Sequence, residues 1–288
     1  GDSWSGLFNL NTKENHYQMD TAQAEWLDWG RGENQAKTGW WVADVNINPF
    51  NSDEVMYGTG ATIYSTQNMT KIGTEPVTIA FDAYGLEETA VFKMLAPPSK
   101  DDSPQLYSIM GDLTGFAHKD VTQCPDDAHF MKNGKPTDLD VAFQDPNTAV
   151  YLSEEKTTTI NFTQDGGATW ETVKHKPDPA TGGQVAMSAD GSSTIWVPNS
   201  ISGKPYVTTD LGKTWYYVEG LGFNAKIAAD RVNPKVFYAT CDGLFYVSRD
   251  GGVTFESTGQ MVADSAEPVT VFGQEGNVWI SSSTMIMY

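Results

Sequence analysis

The sequence is poor in several residue types and patterns that identify common classes of function. It carries two cysteines and four histidines in 288 residues, and the histidines lack the short spacing of metal ligands. With 18 basic against 37 acidic residues, its net charge of −19 opposes binding to nucleic acid. No run approaches the roughly 20 apolar residues of a membrane-spanning helix. We therefore expect no metal site, no cofactor, no nucleic-acid partner and no membrane partner.

Motifs for phosphate binding and nucleophilic catalysis are missing as well. The chain has no Gly-rich phosphate loop, no Walker pattern and no nucleophile elbow. Cys124 and Cys241 lie far apart, and their spacing neither requires nor excludes a disulfide bond. Carboxylates and aromatic side chains remain in quantity, the aromatics making up 12% of the chain. This combination is typical of proteins that handle sugars.

A nine-residue pattern that recurs three times predicts the architecture. Residues 162–170, 207–215 and 247–255 each run from an apolar strand through an Asp and a Gly to a closing aromatic. The aspartates are Asp165, Asp210 and Asp250, spaced by 45 and then 40 residues, which is the size of a four-stranded propeller blade. Such an Asp can accept backbone N–H bonds while the Gly adopts positive φ. We therefore predict Asp-box hairpins whose aspartates brace turns and do not take part in catalysis.

Weaker copies of the pattern extend the repeat in both directions. Residues 64–68 and 116–120 resemble the box without all its features, and residues 275–288 begin another copy. About six blades are visible. The sequence thus predicts an all-β fold, a β-propeller of the seven-bladed type, as one incomplete domain over residues 1–288. We expect the chain to be part of a longer protein, or one half that needs a partner.

Tryptophans are concentrated in the first 50 residues. The candidates for substrate binding are Trp26, Trp29, Trp40 and Trp41. Indole rings match the C–H faces of pyranose rings, so tryptophans exposed in a cleft would form a platform for a glycan. In the competing interpretation these rings fill the spaces between blades.

Several longer motifs closely resemble glycoside hydrolase family 74. They are residues 26–30, 44–53, 57–64, 85–90, 111–116, 188–191 and 230–234, in the order of the family and over nearly the whole chain. The resemblance implies a xyloglucanase built from two tandem seven-bladed propellers with the substrate groove between them. This chain looks like most of the second propeller.

The resemblance also implies an inverting mechanism with one catalytic Asp from each propeller. The motif Gly-Asp-x-x-Gly-Phe at residues 111–116 assigns the general acid to Asp112. An inverting enzyme also needs a base, roughly 6.5–9.5 Å from the acid, to activate water. In the family the base comes from the first propeller, and no segment of this chain resembles it. The implied function is the general-acid half of a secreted xyloglucan-specific β-1,4-glucanase, inactive alone, with xyloglucan or a related β-glucan as substrate. Its implied partner is the missing first propeller or a second chain carrying the base.

Alternatives from other classes remain open at this point. The chain could be a non-catalytic glycan-binding propeller or an inactive fragment, and Asp112 could simply cap a turn before Gly115. Asp-boxes also occur in sialidases, which need an arginine cluster, but this chain has only Arg31, Arg231 and Arg249. One departure from the family lies at residues 117–120, where Ala-His-Lys-Asp replaces Arg-His-x-Asp. Glu87, Glu88 and Asp120 are possible supporting groups around the acid.

Overall fold

The structure, a computed structural model, is almost entirely β in the residues that it describes. These are 6–8, 12, 14–22, 38–39, 41–83, 90–100, 102–111, 114–123, 125, 135–154, 156–177, 181–199, 203–283 and 286–287. The only helix among them is a single 3-10 turn at Met69–Lys71, so no described helix could cross a membrane. The chain divides into two compact units, residues 1–90 and 91–288.

The first unit holds one five-stranded sheet. Its strands are β1 (Tyr17–Asp20), β2 (Asp44–Ile47), β3 (Val55–Gly58), β4 (Ile63–Thr66) and β5 (Val77–Phe81), in the order β1-β5-β4-β3-β2. Strands β2 to β5 form the expected antiparallel blade, and β1 adds a fifth strand parallel to β5. Tyr17 of β1 is buried with Tyr64, Ile79 and Phe81. Burial of these side chains holds the extra strand, which the 40- to 45-residue repeat did not predict.

The second unit contains five successive antiparallel sheets, three of them four-stranded. The first sheet has β6 (Val91–Leu95), β7 (Leu106–Met110) and β8 (Thr114–His118). The four-stranded sheets are β9 (Lys135–Val141), β10 (Ala149–Glu154), β11 (Thr158–Thr163) and β12 (Glu171–Thr172); β13 (Gln184–Met187), β14 (Thr194–Val197), β15 (Tyr206–Thr208) and β16 (Tyr216–Tyr217); and β17 (Lys226–Ala229), β18 (Phe237–Cys241), β19 (Leu244–Ser248) and β20 (Glu256–Met261). The last sheet has β21 (Glu267–Thr270), β22 (Val278–Ser281) and β23 (Ile286–Met287).

Successive sheets of this unit pack face to face, with their first strands β6, β9, β13, β17 and β21 side by side. One apolar cluster fills each space between neighbouring sheets. Tyr107 and Leu139 lie between the first two, Phe162 and Trp196 between the next two, and Ile195 between the third and fourth. Because both faces of the inner sheets are covered, their central strands are mainly apolar, and every residue of β18 is buried. This is the arrangement of propeller blades.

The closing aromatics of the three repeats lie in these spaces between sheets. The Trp170 ring meets Tyr151 edge-on, with centroids 4.6 Å apart, at the cluster shared with β7. Trp215 packs against the cluster that contains Phe162, and Phe255 is buried in the cluster that contains Ile195. Each closing aromatic therefore joins its own sheet to the preceding one.

The spacing of the two cysteines does not decide whether they pair. Cys241 is a free, buried thiol in β18, and burial raises its pKa. Cys124 lies outside the described residues.

Candidate functional site

The predicted general acid, Asp112, lies in the sequence between the two strands of the hairpin β7–β8. These strands pair from Leu106 opposite His118 to Met110 opposite Thr114, so residues 111–113 connect them. Asp112 itself lies outside the described residues, and its role stays a prediction. The structure does describe the frame on either side. Met110 and Phe116 are both buried, at 8% and 7% exposure.

Backbone strain occurs immediately after the connecting turn. Thr114 has a φ of +68°, in the left-handed region that β-branched residues rarely adopt. Its side chain is buried. A conformation of this kind costs about 1–3 kcal/mol and persists only where the surrounding structure enforces it. Such strain is commonly found at functional sites, so it marks this turn independently of the sequence motif.

A half-buried histidine, His118, lies at the end of the same hairpin. His118 Nε2 and Ser108 Oγ are 2.9 Å apart and hydrogen-bonded. Burial lowers the pKa of His118 below its ordinary value of 6.5. The side chain is therefore neutral in the folded protein at a pH where the unfolded chain begins to bind a proton.

The histidine gives the fold a testable pH dependence. Because its folded pKa lies below the unfolded value, its neutral form is fully compatible with the fold above pH 6.5, and stability is lost as the pH falls below that value. We expect the His118→Gln variant to lose less unfolding free energy than the wild type between about pH 7 and pH 5, by at most about 1.4 kcal/mol per pH unit. Urea denaturation at several pH values measures the slope. The exposed His175 provides the control, His175→Gln, and an equal flattening in both variants would contradict the assignment.

Of the four tryptophans predicted to bind substrate, the structure describes one. Trp41 is 82% exposed and has a φ of +55°, so its indole is open to solvent in the first unit. Trp26, Trp29 and Trp40 lie outside the described residues, as do Glu87 and Glu88. Asp120 accepts hydrogen bonds from the backbone N–H and the hydroxyl of Thr122, at 2.8 and 2.7 Å. Such bonds are typical of a turn residue, and the supporting role of Asp120 stays a prediction.

The three repeated aspartates make the same set of hydrogen bonds. Asp210 accepts the Thr214 N–H at 2.8 Å, the Thr214 hydroxyl at 2.6 Å and the Thr208 hydroxyl at 2.9 Å. Asp165 and Asp250 repeat this with their own Thr or Ser neighbours. The Thr214 hydroxyl contributes most to holding the pKa of Asp210 below its usual range. These carboxylates are occupied by their own turns, which is the geometry expected of turn braces.

A weaker copy in the first unit uses an amide for the same purpose. Asn68 Oδ1 accepts from the Thr66 hydroxyl at 3.0 Å and from the Thr78 N–H at 2.8 Å. The Thr66–Asn68 contact matches the Thr208–Asp210 contact of the full repeats. The side-chain oxygen is the common requirement, so an amide can replace the carboxylate.

A buried ionic network was missed by the sequence analysis. Asp138 and Asp140 extend from β9 toward β13, where they accept the N–H groups of Val185 and Met187, both at 2.8 Å. The other oxygen of Asp140 accepts Arg231 Nη1 at 2.8 Å, and that of Asp138 accepts Lys93 Nζ at 2.7 Å. These bonds connect four successive sheets where their first strands meet. The alternation Asp-Leu-Asp-Val in β9 was the available signal, but two acids on one strand face are usually read as solvent-exposed.

A cleft lies at the box end of the sheets β9–β12 and β13–β16. It has a volume of about 470 Å³. Its lining includes Asp165, Glu171, His175, Leu211 and Lys213. The charged side chains of this lining, which lie beside apolar side chains, provide hydrogen-bonding partners for a polar ligand.

Curated relatives of this chain are xyloglucanases, although no protein-family model matches it. The xyloglucanase Xgh74A of Acetivibrio thermocellus is 40% identical over 278 residues, which are 93% of this chain and 32% of that protein. A xyloglucanase of a Paenibacillus species is 36% identical over 300 residues, covering 98% of this chain and 29% of the relative. The chain therefore spans about a third of the length of these curated relatives.

Solved structures give the same fold. The GH74 xyloglucanase of Xanthomonas campestris matches 94% of this chain and 40% of its own, with a TM-score of 0.78 and 24% identity. The GH74 enzyme of Niastella koreensis matches 92% of this chain and 36% of its own, with a TM-score of 0.75 and 24% identity. The predicted all-β propeller class is thereby confirmed. The number of blades, the single domain over 1–288 and the site residues stay predictions.

Proposed function

The chain is homologous to the xyloglucanases of glycoside hydrolase family 74, and from that premise we propose that it forms the general-acid side of a xyloglucan-specific β-1,4-glucanase. The observation that carries the proposal is the 40% identity to a xyloglucanase over 93% of the chain. Xyloglucan is a polymer too large to enter a cell, so the proposed site of action is extracellular.

In this proposal Asp112 protonates the glycosidic oxygen as the bond to the departing sugar breaks. An acid must remain protonated until that step, and a poorly hydrated surrounding favours the protonated form of a carboxyl group. The buried side chains of Met110 and Phe116 support such a surrounding. The positive φ of Thr114, within the motif at residues 111–116, is a backbone strain of the kind that is common at functional sites.

Water activation requires a second carboxylate, which we assign to a partner. An inverting enzyme holds its base on the opposite side of the sugar from the acid, at a separation that leaves room for a water molecule. The base would come from a first propeller domain or from a second chain. The glucan backbone would lie across the face that bears Asp112. Within the first unit, the exposed indole of Trp41 is by itself a candidate for stacking on a glucose ring.

The test is to incubate the 288-residue chain with xyloglucan and to measure both retention and cleavage. Affinity gel electrophoresis reports retention, while new reducing ends and product masses report cleavage. Asp112→Asn is the test variant, and Asp102→Asn is the matched control because Asp102 is an exposed acid in the turn that precedes the same hairpin. We expect the wild type to be retained on xyloglucan and to release no more reducing ends than Asp112→Asn.

Each other outcome has a definite meaning. Hydrolysis that Asp112→Asn abolishes and Asp102→Asn preserves would show a base within this chain, and the half-site assignment would be wrong. Hydrolysis that survives Asp112→Asn would remove Asp112 as the acid. A chain that neither binds nor cleaves xyloglucan would contradict the proposal as a whole.

A further inference from the structure

A row of aromatic rings crosses the sheet β13–β16. Trp196, Tyr206 and Tyr217 are cross-strand partners in β14, β15 and β16. The rings of Trp196 and Tyr206 have centroids 6.1 Å apart, and those of Tyr206 and Tyr217 have centroids 4.9 Å apart. Both pairs are inclined by only 29°. The rings thus stand on the sheet and stack along the direction of the interstrand hydrogen bonds.

The row begins in the core and ends in solvent. Trp196 is fully buried, whereas Tyr217 is 61% exposed on the outermost strand. Burial, with a further contribution from a hydrogen bond with Tyr217, raises the pKa of Tyr206 to about 12. The ring of Tyr217 is stacked on that of Tyr206 although it is exposed. Stacking already restricts the Tyr217 side chain in the free protein. A ligand that binds this ring therefore removes less side-chain conformational entropy.

The preceding residue shows that exposure alone does not create this arrangement. Tyr216 is 64% exposed, almost the same as Tyr217, but its side chain points to the other face of the strand. Its cross-strand partner is Val207, and within the described part of the chain no ring contact involves Tyr216. The two tyrosines form a natural pair of test and control residues.

Polar groups lie along the row and its surroundings. Lys204 Nζ is 5.8 Å from the centroid of the Tyr217 ring, and Lys176 Nζ is 5.8 Å from that of Trp196. His175, next to Lys176 in the chain, lines the cleft of about 470 Å³. Donors beside an aromatic face are what a pyranose requires, since its C–H face stacks while its hydroxyls accept hydrogen bonds.

The charge of the protein decides between two kinds of polysaccharide. The two lysines alone would suit a neutral or an acidic glycan. A net charge of −19, however, repels a polyanion over the range of the Debye length, so that a neutral chain is favoured.

We propose that Tyr217, stacked on Tyr206 and flanked by Lys204, is a binding platform for the backbone of a neutral β-1,4-glucan on the outer strand β16. The identity of the glycan rests on the proposed function. The platform uses residues other than Asp112 and the tryptophans assigned to substrate, and it would hold the polymer without acting on its bonds.

Affinity gel electrophoresis in gels that contain soluble xyloglucan tests the platform. We expect Tyr217→Ala to raise the apparent Kd about threefold to tenfold, which corresponds to the loss of one aromatic stacking contact. Tyr217→Phe keeps the ring and should bind within about twofold of the wild type. Tyr216→Ala removes an equally exposed tyrosine and should leave the Kd unchanged. Thermal unfolding of each variant checks that the fold is retained.

A second measurement is local and does not depend on how many sites bind the polymer. Xyloglucan should protect Tyr217, and not Tyr216, from nitration as read by mass spectrometry. Equal protection of both residues, or a Kd that Tyr217→Ala does not change, would overturn the platform. Loss of self-association in Tyr217→Ala during size-exclusion chromatography would assign the surface to a second copy and would also overturn it.

The outcomes separate this inference from the proposed function. A wild-type chain that xyloglucan does not retain contradicts both proposals. Retention that is indifferent to Tyr217 leaves the proposed function standing and removes the platform.

Discussion

Replacing Asp140 with asparagine is expected to lower the free energy of unfolding of the 91–288 unit by about 3–5 kcal/mol, the usual cost of breaking a buried ion pair. Asp140 is 2% exposed and its partner Arg231 is 8% exposed. The amide would leave the guanidinium buried beside a neutral group. Arg231 also lies over the Phe143 ring, with 4.5 Å between its Cζ and the ring centroid, so it has little freedom to move toward water.

Urea denaturation monitored by tryptophan fluorescence measures the change, provided that the m-value stays constant. The control is Glu267→Gln, which breaks the Lys226–Glu267 pair. Its atoms are 3.2 Å apart, but its side chains are 37% and 53% exposed, so a loss of less than about 1 kcal/mol is expected. If Asp140→Asn costs no more than Glu267→Gln, the ionic network does not hold the sheets together.

The same residues show where sequence reasoning is limited. Alternation in β9 correctly separates Leu139 and Val141 from Asp138 and Asp140, but it does not reveal that the acidic face is buried. That burial follows from the packing of β9 beside β13, whose N–H groups the two aspartates accept. The contact joins residues 47 positions apart. No local pattern encodes a partner at that distance.

The local turns, in contrast, could be predicted well. The three repeats place strands β11, β15 and β19 before the boxes, and each closing aromatic lies between sheets. The reason is that these turns depend on side-chain to backbone bonds over at most four residues. The extra strand β1 escaped prediction because its partner β5 is distant in the chain and parallel to it.

The candidate functional residues also include some that the sequence predicts and some that it does not. A motif of six residues was enough to nominate Asp112, since the assignment came from a resemblance and not from a contact. The aromatic row was not foreseen, because Trp196, Tyr206 and Tyr217 become neighbours only through the register of three strands. Sequence showed three scattered aromatics, while the sheet places them in one stack.

After Asp140→Asn, the substitution Gly220→Ala is expected to have the second largest effect on stability. It should lower the free energy of unfolding by about 2–5 kcal/mol. Gly220 has a φ of +82°, and a Cβ there would lie 2.1 Å from the backbone oxygen of Phe255. The adjacent Glu219 exchanges backbone hydrogen bonds of 2.9 Å with Val253 and Phe255. This short ladder joins the sheet β13–β16 directly to the sheet β17–β20. Gly220→Ala can relieve the clash only by opening that connection.

Gly251→Ala separates the clash from the backbone strain. Gly251 has a φ of +84°, but the nearest atom to its added Cβ is Ser193 Oγ at 3.8 Å, so only the strain of about 1–2 kcal/mol applies. Leu211 occupies the equivalent box position with a φ of +56°, which shows that this site accepts a side chain. Urea denaturation measures the loss of unfolding free energy in both variants. The difference between the two losses is the free energy needed to place a methyl group next to the backbone carbonyl of Phe255. Equal losses would mean that the hydrogen-bonded connection between these two sheets yields to the methyl group without a measurable cost.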